Sequence, residues 1–365
     1  MAITIISLFV LGTQIIFFGL LLFAFRKADE PTPAGEPPVS VIVCAHDEEE
    51  NLRALLPALL SQQYPVYEVI VVEDRCNDGT YDMLLQLTHE DPRVKLVRVT
   101  HKPEHINGKK FALTLGIKAA QYEWVLLTDA DCRPATEHWI SSMSRHFHPQ
   151  TQIVLAFSPY RKEKGLLNSF IRFESFYTGI QFMGMALLGK PYMGVGRNLA
   201  YRKELFLAHK GFHAHQEITG GDDDLFVNQH ARQENTVVNR GHDSLVFSEP
   251  KKTWPEFLHQ KFRHLSVGKH YRLRDKIWQS VLSLSWILTW FLVAPTMAFS
   301  AWRETIMIFF LVRIILLTVL LQVGSKKLGS RFEAWKTPLL DFIYSIYYLV
   351  TGAKALFVKK VKWKI

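Results

Sequence analysis

Short apolar runs alternate with longer mixed segments along residues 39–128. Val39 to Cys44, Glu68 to Glu73, Val94 to Val99 and Trp124 to Thr128 are brief and rich in Val, Ile and Leu, as buried strands are. Glu48 to Ser61, Thr80 to His89 and Lys109 to Ala120 lie between them and have helical composition, with Asp47 placed to cap the first. This alternation predicts an α/β class, a mostly parallel sheet covered on both faces by helices. Beyond Asp131 the pattern loosens. Ile153 to Phe157 reads as a further strand, and Asp222 to Gln233 as a helix opening with acidic residues. Leu166 to Leu188 is long, apolar and aromatic, but Arg172, Glu174, Gly179 and Gly184 interrupt it. We read it as a helix buried against a membrane-proximal face, not as a span. Trp254 to Arg274 is basic, aromatic and amphipathic, the composition of a segment lying along a bilayer surface.

Other apolar runs are too long for strands. Ile3 to Phe25 contains no charge and is long enough to cross a bilayer. Nothing basic precedes it, while Arg26 and Lys27 follow. That favours an uncleaved anchor, N-terminus outside and basic flank in the cytoplasm, over a signal peptide. Val281 to Ser300 and Thr305 to Val323 are candidate spans, and Arg313 in the second must face protein or a cavity. Pro338 to Val358 carries Asp341 and Lys354 between two basic flanks: Lys326, Lys327, Arg331 and Lys336 before, Lys359, Lys360, Lys362 and Lys364 after. A simple crossing cannot keep both flanks in the cytoplasm, so a re-entrant or interfacial segment is expected. Ala28 to Pro38, rich in Pro and charge, reads as a linker. The expected division is an anchor over 1–28, a cytosolic domain over 29–275 and a membrane region over 276–365.

The chain has 43 Lys and Arg against 34 Asp and Glu, a formal net charge of +9. Basic flanks beside anionic lipid account for part of that excess, and no nucleic-acid partner is needed to explain it. Cys44, Cys76 and Cys132 are an odd number without C-x-x-C spacing, which implies no zinc framework and a reduced, cytosolic setting. His209, His213 and His215 form a loose cluster that we read as a solvated loop in preference to a metal site.

The strand Trp124 to Thr128 runs into Asp129 and Asp131. Alternation along extended chain puts both carboxylates on one side. Hard oxygen ligands at a strand end suit Mg²⁺ or Mn²⁺ holding a diphosphate, and strand C-termini are where open α/β sheets bind ligands. Lys109 follows a glycine near a helix start, so a cation and free N–H groups converge there on phosphate; Lys110 is an equally basic neighbour, and spacing does not choose between them. Asp222, Asp223 and Asp224 are three like charges in succession, with side chains pointing about 100° apart once helical. One of them faces a site.

Six segments carry these groups in order: Val39 to Asn51, Val71 to Thr80, Asn107 to Leu113, the Asp129/Asp131 pair, Gly220 to Leu225, and Gln260-Lys-Phe-Arg-His264. Together they resemble the inverting family-2 glycosyltransferases of GT-A fold, and more closely the membrane-embedded branch that includes cellulose synthase, hyaluronan synthase and ceramide glucosyltransferase. The likeness covers Pro37 to about Tyr271. It implies a GT-A, Rossmann-like sheet with a nucleotide-sugar half over 36–135 and an acceptor half over 136–275. It places Ala45, His46 and Glu48 at the base and ribose, although the family often has an aromatic at the position of His46. It places Asp74 where a carboxylate accepts from a uracil or guanine N–H, Lys109 on phosphate, Asp131 on the metal, and Asp129 on the metal or nearer the ribose. The family's acidic pair before a leucine corresponds to Asp222 or Asp223 as general base, Asp223 ranked first. Met193 to Arg202, with Gly196 and Asn198, resembles the acceptor-side loop. Gln260 and Arg263 match the Gln-x-x-Arg-Trp motif, in which Arg263 would clamp the diphosphate and Gln260 would touch the acceptor. His264 replaces the tryptophan that processive synthases associate with the acceptor sugar.

The resemblance therefore implies a metal-dependent, inverting transfer of a sugar from a nucleotide donor, expected to be UDP-linked, to a lipid or lipid-linked hydroxyl. The catalytic domain is expected on the cytoplasmic side of a bacterial inner membrane. A processive polysaccharide synthase is the alternative, weakened by His264 and by few spans. A non-catalytic scaffold retaining the fold is the other, weakened by the intact carboxylates.

Overall fold

The computed structural model describes residues 1–26 and 35–357. Most of the expected linker and the basic flank after residue 358 lie outside the described residues. Seven strands form one sheet: β1 Val39–Ala45, β2 Tyr67–Asp74, β3 Val94–Val99, β4 Trp124–Asp129, β6 Ile153–Leu155, β7 Leu199–Arg202 and β8 Thr236–Val238, in spatial order β3-β2-β1-β4-β7-β6-β8. β1 to β4 are parallel, and β7 runs antiparallel between β4 and β6. A separate ribbon pairs β5 Cys132–Pro134 with β9 Val246–Ser248. The chain thus winds outward from β1 to β3 and returns to place β4 on the other side of β1. That reversal opens a crevice at the strand C-termini. The register sets Asp129 opposite Cys44 at that edge.

Strand alternation divides the core. Val41, Val43, Val69, Val71 and Leu126 point to one face and pack with Leu52, Leu55, Leu56 and Leu59 of α2, Glu49–Leu60. Ile42, Ile70, Val72, Val125 and Leu127 point to the other. There they meet α4, Gly108–Ala119. The second core does not stop at the domain. It runs on through α6, Leu166–Leu187, to Phe18, Leu21 and Phe25 of α1, Ala2–Arg26, and to Leu317, Leu320 and Leu321 of α12, Arg303–Lys327. α6 is buried almost all round, as expected for a helix apolar on every side.

Among the described residues, three helices are long and apolar enough to cross a membrane: α1, residues Leu273–Phe299, and α12. The second comprises α10, Leu273–Leu288, a wider turn over Thr289–Val293, and α11, Ala294–Phe299. It begins eight residues before the expected Val281. Arg274, Asp275 and Lys276 mask that start in the sequence, but Asp275 is buried and accepts from Asn228 Nδ2 at 3.0 Å. The charged turn is docked on the α/β domain instead of ending the helix. Arg313 faces protein, as expected: it pairs with Asp341 and donates to Gln14 Oε1 at 2.5 Å, and Gln14 donates to Ser285 and Thr289. Asp341 belongs to α13, Thr337–Phe357, one unbroken helix packed on α10, α9 (Trp254–Val267) and α6.

Two local expectations are corrected. Asp47 does not cap α2: it has φ +55°, and its carboxylate accepts from the backbone N–H of Asn77 at 2.6 Å. Glu48 takes the cap position. The acidic helix, α8, spans Asp224–His230, so Asp222 and Asp223 precede it. The remaining short helices are α3 Thr80–Glu90, α5 Trp139–Ser144 and α7 Lys203–Ala208.

Candidate active site

The end of β4, the start of α4, the loop before β7, the turn before α8 and one face of α9 enclose a cavity of about 160 Å³. Small-molecule sites usually hold roughly 300 Å³ or more. This cavity is smaller than that.

Lys109 ties its two acidic walls together. Its Nζ lies 2.9 Å from Asp129 Oδ1 and 3.3 Å from Asp222 Oδ2. Lys110, one residue on, turns the other way and is buried, donating to the carbonyls of His215 at 2.6 Å and Ile218 at 2.9 Å. Burial brings its pKa down to about 8. The structure thus separates two lysines that spacing could not: one faces the cavity, the other holds the loop leading to the acidic turn. His215 is buried in that loop and His209 stacks on His230 at 4.1 Å. Among the described residues, the three histidines form no ligand group.

Gly220 and Gly221 both have positive φ, which lets the chain double back and deliver Asp222 beside Lys109. The three aspartates then diverge. Burial raises the pKa of Asp222, but Lys109, with Lys110 and Arg263, outweighs it, and the net shift is downward. Asp223 accepts the backbone N–H of Gly196 at 2.6 Å and caps α8 through the N–H of Asp224 at 2.7 Å. Burial, then the charge of Asp222, pushes its pKa up. A Cβ on residue 196 would meet Asp223 at 3.2 Å, so glycine there permits the approach. Asp224 is buried and accepts from the Tyr271 hydroxyl at 2.9 Å.

Asp129, Asp131 and Cys132 offer ligand atoms all within 4.8 Å of one another. Burial raises the pKa of Asp131, the charge of Asp129 raises it further, and Arg197 draws it back. Burial also holds the Cys132 thiol protonated, so the ligands on offer are the two carboxylates. Two close carboxylates with a shared charge excess fit a hard divalent cation.

α9 supplies the opposite wall. Gln260, Arg263, His264 and Val267 share one helical face and line the cavity. Arg263 Nη2 lies 3.2 Å from His264 Nε2. A capping box from Thr253 and Glu256 fixes the start of the helix. Its roll is set from below by Lys261, whose Nζ lies 2.5 Å from Glu174 of α6.

The donor-side residues gather next to the cavity but do not line it. His46 Nδ1 lies 2.5 Å from the Asp74 carbonyl oxygen. Ala45 is buried at the end of β1, and Glu48 accepts from Asn51. The Asp74 carboxylate is held by Arg75, through Nε at 2.8 Å and Nη2 at 3.2 Å. A carboxylate has about four acceptor positions, and Arg75 uses two of those of Asp74. Asn198 is placed elsewhere. It is fully buried, accepts from Trp139 Nε1 and donates to the carbonyls of Phe157 and Ser244, so it braces the loop from behind. Arg197, which no motif singled out, lines the cavity in its place. Its only signal in the sequence is a cation following Gly194-Val-Gly196.

Residues 40–208 match the family model described as Glycosyl transferase family 2. The chain is 26% identical over 242 residues to a probable glycosyltransferase of Bacillus subtilis, a match covering 62% of this chain and 54% of that protein. A beta-monoglucosyldiacylglycerol synthase of Trichormus variabilis is 28% identical over 137 residues, 36% of this chain and 29% of that protein. The chain spans about half the length, or less, of these curated relatives. Among solved structures, a mannosyltransferase from Pyrobaculum calidifontis in complex with GDP-Man and Mn2+ superposes with a TM-score of 0.67 at 18% identity, covering 98% of this chain and 99% of that one. The likeness establishes the expected GT-A α/β fold.

Proposed function

We propose that the protein is an integral-membrane, inverting glycosyltransferase that moves a sugar from a nucleoside-diphosphate donor to a lipid or lipid-linked hydroxyl. One observation carries the reading: Lys109 joins Asp129 to Asp222 across a cavity that Asp223 and Arg263 also line. Acidic groups from separate parts of the chain meet there beside cations, which is what a departing diphosphate and an attacking hydroxyl both require.

The chain's own groups divide the work. Ala45, His46, Glu48 and Asp74 receive the nucleoside. Lys109 and Arg263 bind diphosphate oxygens and offset the negative charge that grows as the bond to the sugar breaks. A divalent ion, Mg²⁺ or Mn²⁺, held by Asp131 and Asp129 would add to that stabilisation. Asp223 takes the proton of the acceptor hydroxyl as the oxygen attacks the anomeric carbon from the opposite face. Its raised pKa makes it a stronger base than an exposed carboxylate. The N–H of Gly196 fixes its position. Gln260 and His264 are left to face the acceptor.

Several facts support the lipid acceptor. The wall formed by α9 meets α6 through Lys261–Glu174 and Phe257–Phe170 and packs on α13, and the core beneath runs unbroken into α1 and α12. The Trichormus relative is named for a glycolipid product. An acceptor on a lipid would reach the cavity sideways from the bilayer. The anchor over 1–28, the membrane region over 276–365 and a cytoplasmic catalytic side of a bacterial inner membrane belong to the same proposal. The donor is proposed to be UDP-linked; the structural neighbour was solved with a GDP-sugar, so both nucleotides enter the tests.

The test is transfer of radiolabelled sugar from UDP- and GDP-sugars to a membrane lipid extract. Asp223→Asn should bind the donor as the parent does and lose transfer by about 10²–10⁴-fold, the usual worth of a general base. Unimpaired transfer in this variant and in Asp222→Asn would remove the proposed base.

A further inference from the structure

The loop before β7 brings a cation to the cavity that the roles above leave unused. Arg197 lines the cavity together with Lys109, Asp129 and Asp223. Its guanidinium lies 4.5 Å from the centre of the Tyr160 ring, and Nη2 donates to the Ser158 carbonyl at 3.3 Å. Both contacts are to uncharged groups, so they fix the guanidinium without neutralising it. Its Nε is buried with no hydrogen-bond partner. The carboxylates of Asp129 and Asp131 both feel its charge.

The charges on this side of the cavity have a consequence. Asp129 and Asp131 are two anions, and Asp129 already shares Lys109 with Asp222. Arg197 adds a further fixed positive charge. A divalent ion arriving alone would be attracted by the carboxylates and repelled by the guanidinium, with little solvent to screen either. A diphosphate reverses that balance. It brings several negative charges, and its oxygens match the planar fork of an arginine.

We propose that Arg197 binds the diphosphate of the nucleotide, and that by doing so it makes the divalent ion bind together with the nucleotide and not ahead of it. The inference rests on the reading of the cavity as a nucleoside-diphosphate site. It assigns Arg197 two effects of opposite sign: it strengthens nucleotide binding and weakens metal binding in the nucleotide's absence. A residue that merely props up the loop would weaken both.

The experiment measures free Mn²⁺ by electron paramagnetic resonance with the full-length purified protein, with and without UDP or GDP, for the parent, Arg197→Met and Arg197→Lys. In Arg197→Met, Mn²⁺ alone should bind several-fold more tightly, while UDP or GDP with Mn²⁺ should bind at least about 10-fold more weakly, the scale of one lost charge-assisted contact. Arg197→Lys keeps the charge and loses the fork, so its affinity for Mn²⁺ alone should stay near the parent's while its nucleotide affinity falls. Uridine and guanosine, which lack phosphate, should bind all three proteins equally. Unchanged affinities in Arg197→Met, or changes of the same sign in both, would overturn the inference while leaving the site's function standing. Failure of the parent to bind either nucleotide with Mn²⁺ would instead remove the reading beneath it.

Discussion

Two buried polar clusters in this molecule are built from the same parts and do different things. In one, Arg313 of α12 meets Asp341 of α13, with Gln14 of α1 and Trp290 closing around them. In the other, Lys109 meets Asp129 and Asp222. The first is one cation to one carboxylate, both fully buried, and every neighbour is a helix side chain. The second has Asp131 beside Asp129 and Asp223 beside Asp222, shares its surroundings with Arg197 and Arg263, and borders a cavity. A closed pair holds helices in place. Carboxylates and cations gathered around an opening can still meet a ligand. Burial of charge is common to both; the opening tells them apart.

The contrast can be broken most strongly at the closed cluster. Arg313→Met leaves Asp341 buried without its ion partner and should destabilise the protein by about 3–5 kcal/mol. Pairing it with Asp341→Leu should recover much of that loss, because a buried ion pair is often replaceable by apolar groups. Thermal unfolding in detergent gives both numbers. If the double variant were no better than the single one, the pair would have a role beyond holding helices together.

At the open cluster the effect falls on rate. Asp131→Asn should lower sugar transfer by on the order of 10²–10³-fold, the scale of losing one charge-stabilising group, with a melting temperature near the parent's. Transfer at the parent rate would end the metal assignment. Lys109→Met should cost less, about 10-fold in nucleoside-diphosphate affinity by calorimetry, since Arg263 remains. Loss of folding in that variant would make Lys109 a structural tie like Arg313.

The smallest expected effect is on pH dependence. Asp223 must be ionised to act as base, and burial with Asp222 beside it holds its pKa up. Transfer should therefore rise with pH through a midpoint above the ordinary value of about 3.9. Asp222→Asn removes the neighbouring negative charge and should move that midpoint down. A midpoint that does not move would argue that Asp223 is not the group being titrated.

The legible part of the fold was the part made by local pattern. Val41, Val43, Val69 and Val71 alternate with Ile42, Ile70 and Val72, and that alone predicts strands β1 and β2 with two buried faces. The meeting of Asp129 with the 222–224 turn was expected from the order of the six segments and their resemblance to a known family, and Lys109 joins the two. What could not be read was direction. Lys109 and Lys110 are identical in sequence terms, and only the buried carbonyls of His215 and Ile218 decide which turns away. Asn198 was expected to face the acceptor, but it is buried behind the loop while its neighbour Arg197 lines the cavity. The start of α10 was hidden because a buried Asp275 reads in sequence like a solvated one. Each miss is a side chain whose partner lies far along the chain, which no periodicity encodes.

The central claim is that Asp131 and its neighbours form a metal-dependent nucleotide-sugar site. The most direct measurement is the thermal shift of the purified protein with UDP-, GDP- and TDP-sugars, with and without Mn²⁺, in the parent and in Asp131→Asn. The parent should be stabilised by one donor class only when Mn²⁺ is present, by an amount that grows with ligand concentration, and Asp131→Asn should not respond. No shift with any donor, or an equal shift in the variant, would contradict the account.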